Sequence, residues 1–309
     1  MGGAPVVRTR KKGKGVVLRP RRTRFVELFR TTPPKTVCPN FYVLSHANGC
    51  AFQPHCEYCY LKSSLWHIEG SHVFTNTDRM FREIREWIRR DGLETHILNM
   101  GNLSDSLVFE PVRPLVLELV ELFRAEAEAL GRPHSILLVT KGGLADCAPL
   151  LAARPCANVI VSFSLNNPAA ARRHEPGAAP VSSRLAAARR LRDKGWRVRI
   201  RIDPMLRGFT YGHLSRKVRE LRPERVTLGS LRAETNLKRC VPSALFEHLE
   251  PAVDPKGLAR YPFAERLAMY KSAANALGNV CPIGLCEEPP EMWDALGFDR
   301  EGRTCNCGG

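Results

Sequence analysis

The sequence lacks any long hydrophobic run. Its longest apolar stretches, such as Ile136–Thr140, are the size of a β-strand and fall well short of the roughly 18–20 residues that a membrane-spanning helix needs. The N-terminus is basic, but it is not followed by the apolar segment of about 7–15 residues that a secretory signal requires. We therefore expect no transmembrane helix and no membrane partner, and we expect a cytoplasmic protein.

Acidic residues are scarce relative to basic ones. The chain has 47 Lys and Arg against 31 Asp and Glu, which gives a formal net charge of +16 and a pI near 9.7. Such a charge attracts polyanions, of which nucleic acid is the commonest in a cytoplasm. Part of the excess lies in residues 8–24, which we interpret as a basic arm within a flexible segment 1–35. A solvated tail explains this arm about as well as phosphate binding does.

The composition gives no sign of disorder. Hydrophobic residues make up 44% of the 309 residues and charged residues 25%, as in soluble globular domains. The 11 cysteines would suggest disulfides in a small secreted domain, but in a chain of this length they favour metal ligation or buried thiols. Two groups stand out, namely Cys50, Cys56 and Cys59, and Cys281, Cys286, Cys305 and Cys307.

From Phe41 onward, short apolar runs alternate with longer segments of helical period, which is typical of a parallel sheet with crossover helices. The expected strands are Phe41–Ser45, His96–Met100, Ser135–Lys141, Val159–Leu165, Val198–Pro204 and Arg225–Leu231. We predict an α/β main domain over residues 36–235. Residues 236–309 break the alternation, with one helix near Pro262–Leu277 and a Cys-rich tail, and we expect them to form a small C-terminal appendage.

Cys50, Cys56 and Cys59 lie within ten residues, just after the first expected strand. Three thiolates can bind three irons of a 4Fe-4S cubane and leave the fourth iron open to a small molecule. In radical S-adenosylmethionine (SAM) enzymes that molecule is SAM, which is cleaved to a 5′-deoxyadenosyl radical. The first interval, with five intervening residues, is two residues longer than in the usual CxxxCxxC motif. On the triad alone, a structural zinc site remains an alternative.

The neighbouring sequence resembles the spore photoproduct lyase family of radical SAM enzymes. The similarity lies in VCPNFYVLSHANGC at 37–50, in CEYCYL at 56–61 and in the stretch 162–205, and it extends over about 37–235. It implies a partial (βα)6 barrel of the radical SAM type, with a 4Fe-4S cluster on the cysteine triad and SAM as the second cofactor. It also implies a nucleic-acid substrate and an external electron donor such as a flavodoxin or ferredoxin.

The resemblance assigns roles to single residues. Tyr58 falls where an aromatic residue packs near the SAM adenine, and Tyr60 falls where the family has a tyrosine that relays the radical back toward SAM. The other implied cofactor-binding residues are Asn99, Asn102, Ser104, Lys141, Ser162, Ser164, Asn166 and Glu175. Without the resemblance, core packing suits both tyrosines, a solvated strand end suits Lys141, and a surface turn suits Glu175.

The chain departs from the family at the end of the second strand. There the family has the pattern CTSD, whose cysteine donates hydrogen to the product radical, whereas this chain has NLSD with Asn102 at the donor position. An amide does not easily donate a hydrogen atom, so the same route needs another thiol, such as Cys147 or Cys156.

The cysteines of the tail allow two interpretations. Cys281, Cys286, Cys305 and Cys307 could together bind a zinc ion or an auxiliary iron–sulfur cluster. Alternatively, by likeness to related proteins, the tail folds over the barrel mouth and brings one cysteine near the substrate.

We therefore predict a radical SAM enzyme, a lyase of the spore photoproduct, DNA-repair type with an altered hydrogen donor. One alternative is a radical SAM enzyme that modifies a peptide or small molecule, with the basic arm incidental. The other is a non-catalytic, zinc-stabilised nucleic-acid-binding protein.

Overall fold

The computed structural model describes residues 6–7, 15–30, 32–254 and 256–308. The strands are β1 (Val6–Val7), β2 (Val16–Arg19), β3 (Val26–Phe29), β4 (Phe41–Leu44), β5 (Ala47–Asn48), β6 (Ser71–Phe74), β7 (Ile97–Asn99), β8 (Ser135–Thr140), β9 (Val159–Leu165), β10 (Arg197–Met205), β11 (Arg225–Ser230), β12 (Arg232–Ala233), β13 (Ala259–Arg260) and β14 (Ile283–Leu285). The helices are α1 (Leu61–Ser64), α2 (Thr77–Ile88), α3 (Val116–Phe123), α4 (Ala148–Ala152), α5 (Pro168–His174), α6 (Val181–Lys194), α7 (Gly212–Leu221), α8 (Thr235–Cys240), α9 (Phe263–Leu277) and α10 (Pro290–Leu296). Among the described residues, no helix is both long and apolar enough to cross a bilayer.

The largest sheet has eight strands in the order β14, β11, β10, β9, β8, β7, β4, β3. β3 runs antiparallel to β4 at one edge, and every other neighbouring pair is parallel. From β4 to β11 the parallel strands follow one another in chain order, joined by helical crossovers, as repeated βα units require. These are the six predicted strands, with ends shifted by at most one residue. The predicted α/β class is confirmed.

The two faces of this sheet differ in chemistry because side chains alternate sides along a strand. One face packs against the helices in the main core, through residues that include Leu98, Ile136, Leu138, Val161, Ile200 and Val226. On the opposite face β10 carries Arg197, Arg199, Arg201 and Asp203. Buried charges need paired, hydrogen-bonded partners. The polar face is therefore where charged side chains and any polar ligand must meet.

The described part of the predicted N-terminal arm is ordered. β2 pairs with β6, and β3 pairs with β4 at the edge of the main sheet. The Asn76 side chain bonds the backbone of Arg21 at 2.8 and 3.0 Å, and the amide of Phe25 donates to Glu83 at 2.6 Å. The prediction of a flexible arm is therefore wrong for residues 16–29. Residues 1–5 and 8–14 of that arm lie outside the described residues.

The C-terminal part belongs to the same sheet. The predicted helix forms as α9, and β14 extends the main sheet in parallel with β11. The tail then lies on the polar face, where Arg199 donates to the carbonyl oxygens of Asn306 at 2.6 Å and Gly308 at 3.1 Å. The prediction of a separate C-terminal appendage is therefore wrong, because its last residues satisfy a buried arginine of β10.

Gly284 tests this close approach of the tail to the sheet. A Cβ at Gly284 would lie 2.4 Å from the backbone nitrogen of Cys305, so we expect Gly284→Ala to lower the free energy of unfolding by about 1–3 kcal/mol. Urea denaturation measures the change. Gly212→Ala is the matched control, since a Cβ there meets only the end of the Arg216 side chain at 3.6 Å. Equal losses in both variants would contradict the proximity of tail and sheet.

Candidate functional site

The three predicted cluster ligands lie on the loop between β5 and α1. Cys50, Cys56 and Cys59 are each partly buried. Burial raises the pKa of all three thiols, that of Cys56 to about 11. Lys141 acts in the opposite direction on Cys56 and Cys59. The positive charge of Lys141 thus favours the thiolate forms of Cys56 and Cys59, which metal ligation needs.

The end of α5 supports this cysteine loop. The amide of Glu57 donates to the carbonyl of His174 at 2.8 Å, and His174 Nδ1 lies 2.6 Å from the Glu57 carboxylate. Gly177 packs under the loop so closely that a Cβ there would lie 2.4 Å from the carbonyl oxygen of Pro54. His174 and Glu175 are therefore buried beneath the loop, so the interpretation of Glu175 as a surface residue is wrong, although Pro176 after it is exposed and begins a turn.

Glu175 lies at the centre of a buried polar network. Only 2% of Glu175 is exposed, and its carboxylate lies 2.6 Å from the guanidinium of Arg184. It also accepts hydrogen bonds from Asn166 at 3.3 Å and from the hydroxyl of Tyr58. Burial raises the pKa of Glu175, but Lys141 and Arg184 outweigh burial and the net pKa is lowered. The carboxylate is therefore ionised at neutral pH.

Lys141 connects this network to the cysteines. Its ammonium lies 5.8 Å from the centroid of the Tyr58 ring. Burial lowers the pKa of Lys141, but Glu175, Cys56 and Cys59 raise it more, so the lysine is charged. Lys141 is therefore partly buried and within electrostatic range of a carboxylate and two thiols, and its interpretation as a solvated strand end is wrong.

Asp105 is a site residue that the motif comparison did not single out. Its carboxylate accepts from the amide of Lys141 at 2.7 Å, from the Thr140 hydroxyl at 2.9 Å and from the amide of Leu107 at 2.9 Å. These bonds fix the loop after β7 against the end of β8. The sequence carried a signal, because an aspartate in a turn after a strand commonly bonds nearby backbone amides.

The predicted polar residues at the end of β7 and in the loop after it form hydrogen bonds with neighbouring groups. The Ser104 hydroxyl donates to the carbonyl of Asp105 at 3.0 Å, and the Tyr60 hydroxyl donates to the carbonyl of Asn102. The side chain of Asn99 accepts from the amide of Gly101 at 2.7 Å. Tyr60 therefore bridges the cysteine loop and the Asn102 turn.

The polar residues of β9 divide between two neighbours. Asn166 donates to the carbonyl of Pro204 at 3.1 Å and accepts from the Tyr211 hydroxyl at 2.8 Å, within the Glu175 network. Ser164 joins the same network through its carbonyl, which accepts from Arg184 at 3.0 Å. Ser162 instead donates to the side chain of Asn306 at 2.8 Å. The C-terminal tail thus reaches one of the predicted site residues.

The four C-terminal cysteines have different surroundings. Cys286 accepts hydrogen bonds from Arg201 at 3.4 Å and Arg232 at 3.0 Å. Cys307 lies 3.6 Å from the side-chain nitrogen of Asn99. Cys281 and Cys305 pack with the main core.

The geometry of these thiols bears on both predicted metal sites. In the part of the chain that the structure describes, no three His, Cys, Asp or Glu side chains gather closely enough to hold a single metal ion. As arranged, Cys281, Cys286, Cys305 and Cys307 therefore do not form the predicted second metal site. A cubane makes no such demand on Cys50, Cys56 and Cys59, since its three thiolates bind three different irons.

A cavity of about 390 Å³ opens beside the cysteine loop. Its lining includes Cys50 and Cys59 and the side chains of His55, Lys62 and Trp66. This volume lies within the range of small-molecule sites in proteins. Neither Cys56 nor Lys141 lines this cavity. The three thiols and the positive charge of Lys141 near two of them nevertheless fit an inorganic cluster bound by thiolates.

A family model and a curated protein that match this sequence are both described as spore photoproduct lyase. The family model "Spore photoproduct lyase" matches residues 19–224. A spore photoproduct lyase from Geobacillus sp. (strain Y412MC61) is 26% identical over 174 residues, which cover 56% of this chain and 48% of that protein. The matched part thus spans about half the length of this curated relative.

Solved structures show the same fold. A spore photoproduct lyase complexed with dinucleoside spore photoproduct superposes with a TM-score of 0.71 at 20% identity, covering 87% of this chain and 81% of that chain. A spore photoproduct lyase mutant with bound AdoMet and dinucleoside spore photoproduct gives a TM-score of 0.71 at 19% identity, covering 89% and 82%. Because the family model spans well over half of the 309 residues, the chain belongs to the spore photoproduct lyase family.

Proposed function

We propose that the protein is a radical SAM lyase that repairs a pyrimidine lesion in nucleic acid. Cys50, Cys56 and Cys59 would hold a 4Fe-4S cluster, and SAM would bind its open iron. When bound, the cluster supplies the electron that cleaves SAM to a radical able to take hydrogen from substrate. The observation that carries this proposal is the ammonium of Lys141, which lies 5.8 Å from the centre of the Tyr58 ring and interacts electrostatically with both Glu175 and the thiols of Cys56 and Cys59.

The protein's own residues have separable tasks. Lys141 stabilises the thiolate forms of Cys56 and Cys59 and offers an ammonium to the carboxylate of SAM. Tyr58 has its hydroxyl fixed by Glu175, so its ring is held in one orientation for stacking on adenine. Asn166 and Ser164 belong to the same network, and they are proposed with Asn102 and Ser104 as the polar border of the SAM site.

The open parallel sheet supports a partial barrel, since its polar face carries the proposed site and its apolar face carries the helices. Asn99 and Ser162 contact the tail, and we assign them to the side of the proposed SAM site that the tail covers. An external electron donor such as a flavodoxin or ferredoxin is the proposed partner. The cavity beside Cys50 and Cys59 includes Trp66, which is 75% exposed, and this opening offers a route for the electron.

Two features favour a nucleic-acid substrate over a peptide or small molecule. The chain carries a formal net charge of +16, which attracts phosphates. Its structural relatives bind dinucleoside spore photoproduct. Binding to ultraviolet-irradiated DNA should therefore weaken steeply as salt concentration rises.

Anaerobic purification and reconstitution test the cofactor chemistry. We expect about four iron and four sulfide ions per chain and a broad absorbance at about 400 nm that dithionite bleaches. Dithionite and SAM should then yield 5′-deoxyadenosine, together with repaired base when irradiated DNA is present. Cys56→Ala should abolish both products, whereas Cys281→Ala, at a thiol outside the cavity lining, should retain them. Zinc as the sole bound metal, or SAM cleavage that survives in Cys56→Ala, would overturn the proposal.

The charge of Lys141 can be tested separately. Lys141→Met removes a charged hydrogen-bond donor worth about 1.5–3 kcal/mol, so we expect the affinity for SAM to fall about tenfold or more. Titration calorimetry with the reconstituted protein measures the dissociation constant. Lys217→Met, on the surface of α7, serves as the control. An unchanged affinity in Lys141→Met would remove Lys141 from the SAM site.

The Glu175–Arg184 pair predicts a pH-dependent stability. The pKa of Glu175 is lower in the folded protein than in the unfolded chain. The ionised carboxylate therefore contributes fully to the free energy of unfolding above the unfolded pKa of about 4.3. This contribution is lost as the pH falls through the lower pKa of the folded protein. Glu175→Gln should therefore lower the free energy of unfolding by about 3 kcal/mol at pH 7, and the difference from wild type should be smaller in acid.

Urea denaturation at several pH values between neutral and acidic checks this dependence. Glu220→Gln is the control because Glu220 is exposed and lies 3.8 Å from Arg189. A Glu175→Gln deficit that stays the same at every pH would show that the loss comes from packing and not from the carboxylate charge.

A further inference from the structure

The C-terminal tail is anchored at a defined place on the polar face of the sheet. Ser162 donates to the side chain of Asn306 at 2.8 Å, and Arg199 donates to its carbonyl at 2.6 Å. Arg225 donates to the carbonyl of Gly308 at 3.2 Å. These bonds come from β9, β10 and β11, so three adjacent strands fix the residues on both sides of Cys307.

This anchoring presents the Cys307 thiol to the proposed site. Its sulfur accepts from the side chain of Asn99 at 3.6 Å, which leaves the S–H free to point elsewhere. Arg201 and Tyr60 both lie within electrostatic range of Cys307, and Cys307 is partly exposed. The thiol therefore contacts the end of β7 and lies within electrostatic range of the tyrosine that follows the cluster ligands.

A neighbouring group is incompletely satisfied. Asn306 is 2% exposed, and its side-chain nitrogen has no hydrogen-bond partner among the described residues. Buried amide groups almost always have a partner. This free donor beside Cys307 is available to a polar atom of a ligand.

The other thiols are less suited to hydrogen donation. Cys147 and Cys156 are 0% and 1% exposed and pack in the helix-facing core, so they are wrong as substitutes for the donor missing at Asn102. Cys305 is 5% exposed in the same core. Cys286 is held by two guanidinium groups. Cys307 alone among these five combines partial exposure with a contact to Asn99, the last residue of β7.

We propose that Cys307 donates the hydrogen atom that quenches the substrate radical, which makes the C-terminal tail part of the catalytic site. This inference rests on the proposed function. The S–H bond of Cys307 breaks and a C–H bond forms on the substrate, leaving a thiyl radical. The Tyr60 hydroxyl would then restore the S–H bond and become a tyrosyl radical, which would recover its hydrogen atom from 5′-deoxyadenosine, as the resemblance to the family implies.

Isotope transfer tests the donation. Thiol hydrogens exchange with solvent, so turnover of dinucleoside spore photoproduct in D2O by the reconstituted wild type should place one deuterium in each repaired product. Cys307→Ala should still cleave SAM and consume the lesion, while deuterium in the repaired product falls about tenfold or more. Cys307→Ser should behave like Cys307→Ala because a hydroxyl holds its hydrogen more strongly. Cys281→Ala, which removes a thiol remote from the tail contacts, should match wild type.

A second readout does not depend on the cluster. In cluster-free protein, dinucleoside spore photoproduct should slow the alkylation of Cys307 by iodoacetamide several-fold, as measured by peptide mass spectrometry, and leave the exposed Cys240 unchanged. Full deuterium transfer in Cys307→Ala, or Cys307 alkylation unaffected by the lesion, would overturn the assignment of Cys307 alone. Absence of SAM cleavage by the loaded wild type would overturn the proposed function as well.

Discussion

The buried ion pair between Glu175 and Arg184 is the interaction on which the site depends. Removing one partner of such a pair leaves an uncompensated charge in the interior and costs several kcal/mol. Glu175 also binds Tyr58 and Asn166 and favours the charged form of Lys141. The adjoining residues His174 and Gly177 support the cysteine loop. A single carboxylate thus couples the cysteine loop to β8, β9 and α6.

A second constraint acts on the other side of the same space. β10 alternates arginine with aliphatic residues, so its polar face carries buried guanidinium groups that need acceptors. Arg199 is 0% exposed and finds them in Glu224 and in the carbonyls of the tail. The tail is therefore required by the charge of the strand it covers. This requirement brings Cys307 to the end of β7, and in the proposed mechanism it supplies a thiol although Asn102 stands where the family has its cysteine.

The fold was predictable where a local pattern determined it. The six parallel strands could be read from apolar runs because both faces of such a sheet are largely buried. The cysteine triad was visible from its spacing, whereas Lys141 and Glu175 were assigned only through the resemblance to the family, and their roles at a cofactor stay predictions. The paths of the tail and of residues 16–29 could not be predicted, because these segments bind residues that are distant in sequence. Ser162 donates a hydrogen bond to Asn306, and the amide of Phe25 donates to Glu83. Only the alternation of arginines in β10 hinted that a distant segment must cover it.

We propose that Cys50, Cys56 and Cys59 bind a cluster whose fourth iron accepts SAM. Electron paramagnetic resonance of the dithionite-reduced, reconstituted protein can detect both the cluster and the binding of SAM to it. We expect a reduced-cluster signal that changes on addition of SAM, because SAM becomes a ligand of the open iron, and no such signal in Cys56→Ala. A cluster signal that SAM leaves unchanged, or one that persists in Cys56→Ala, would contradict it.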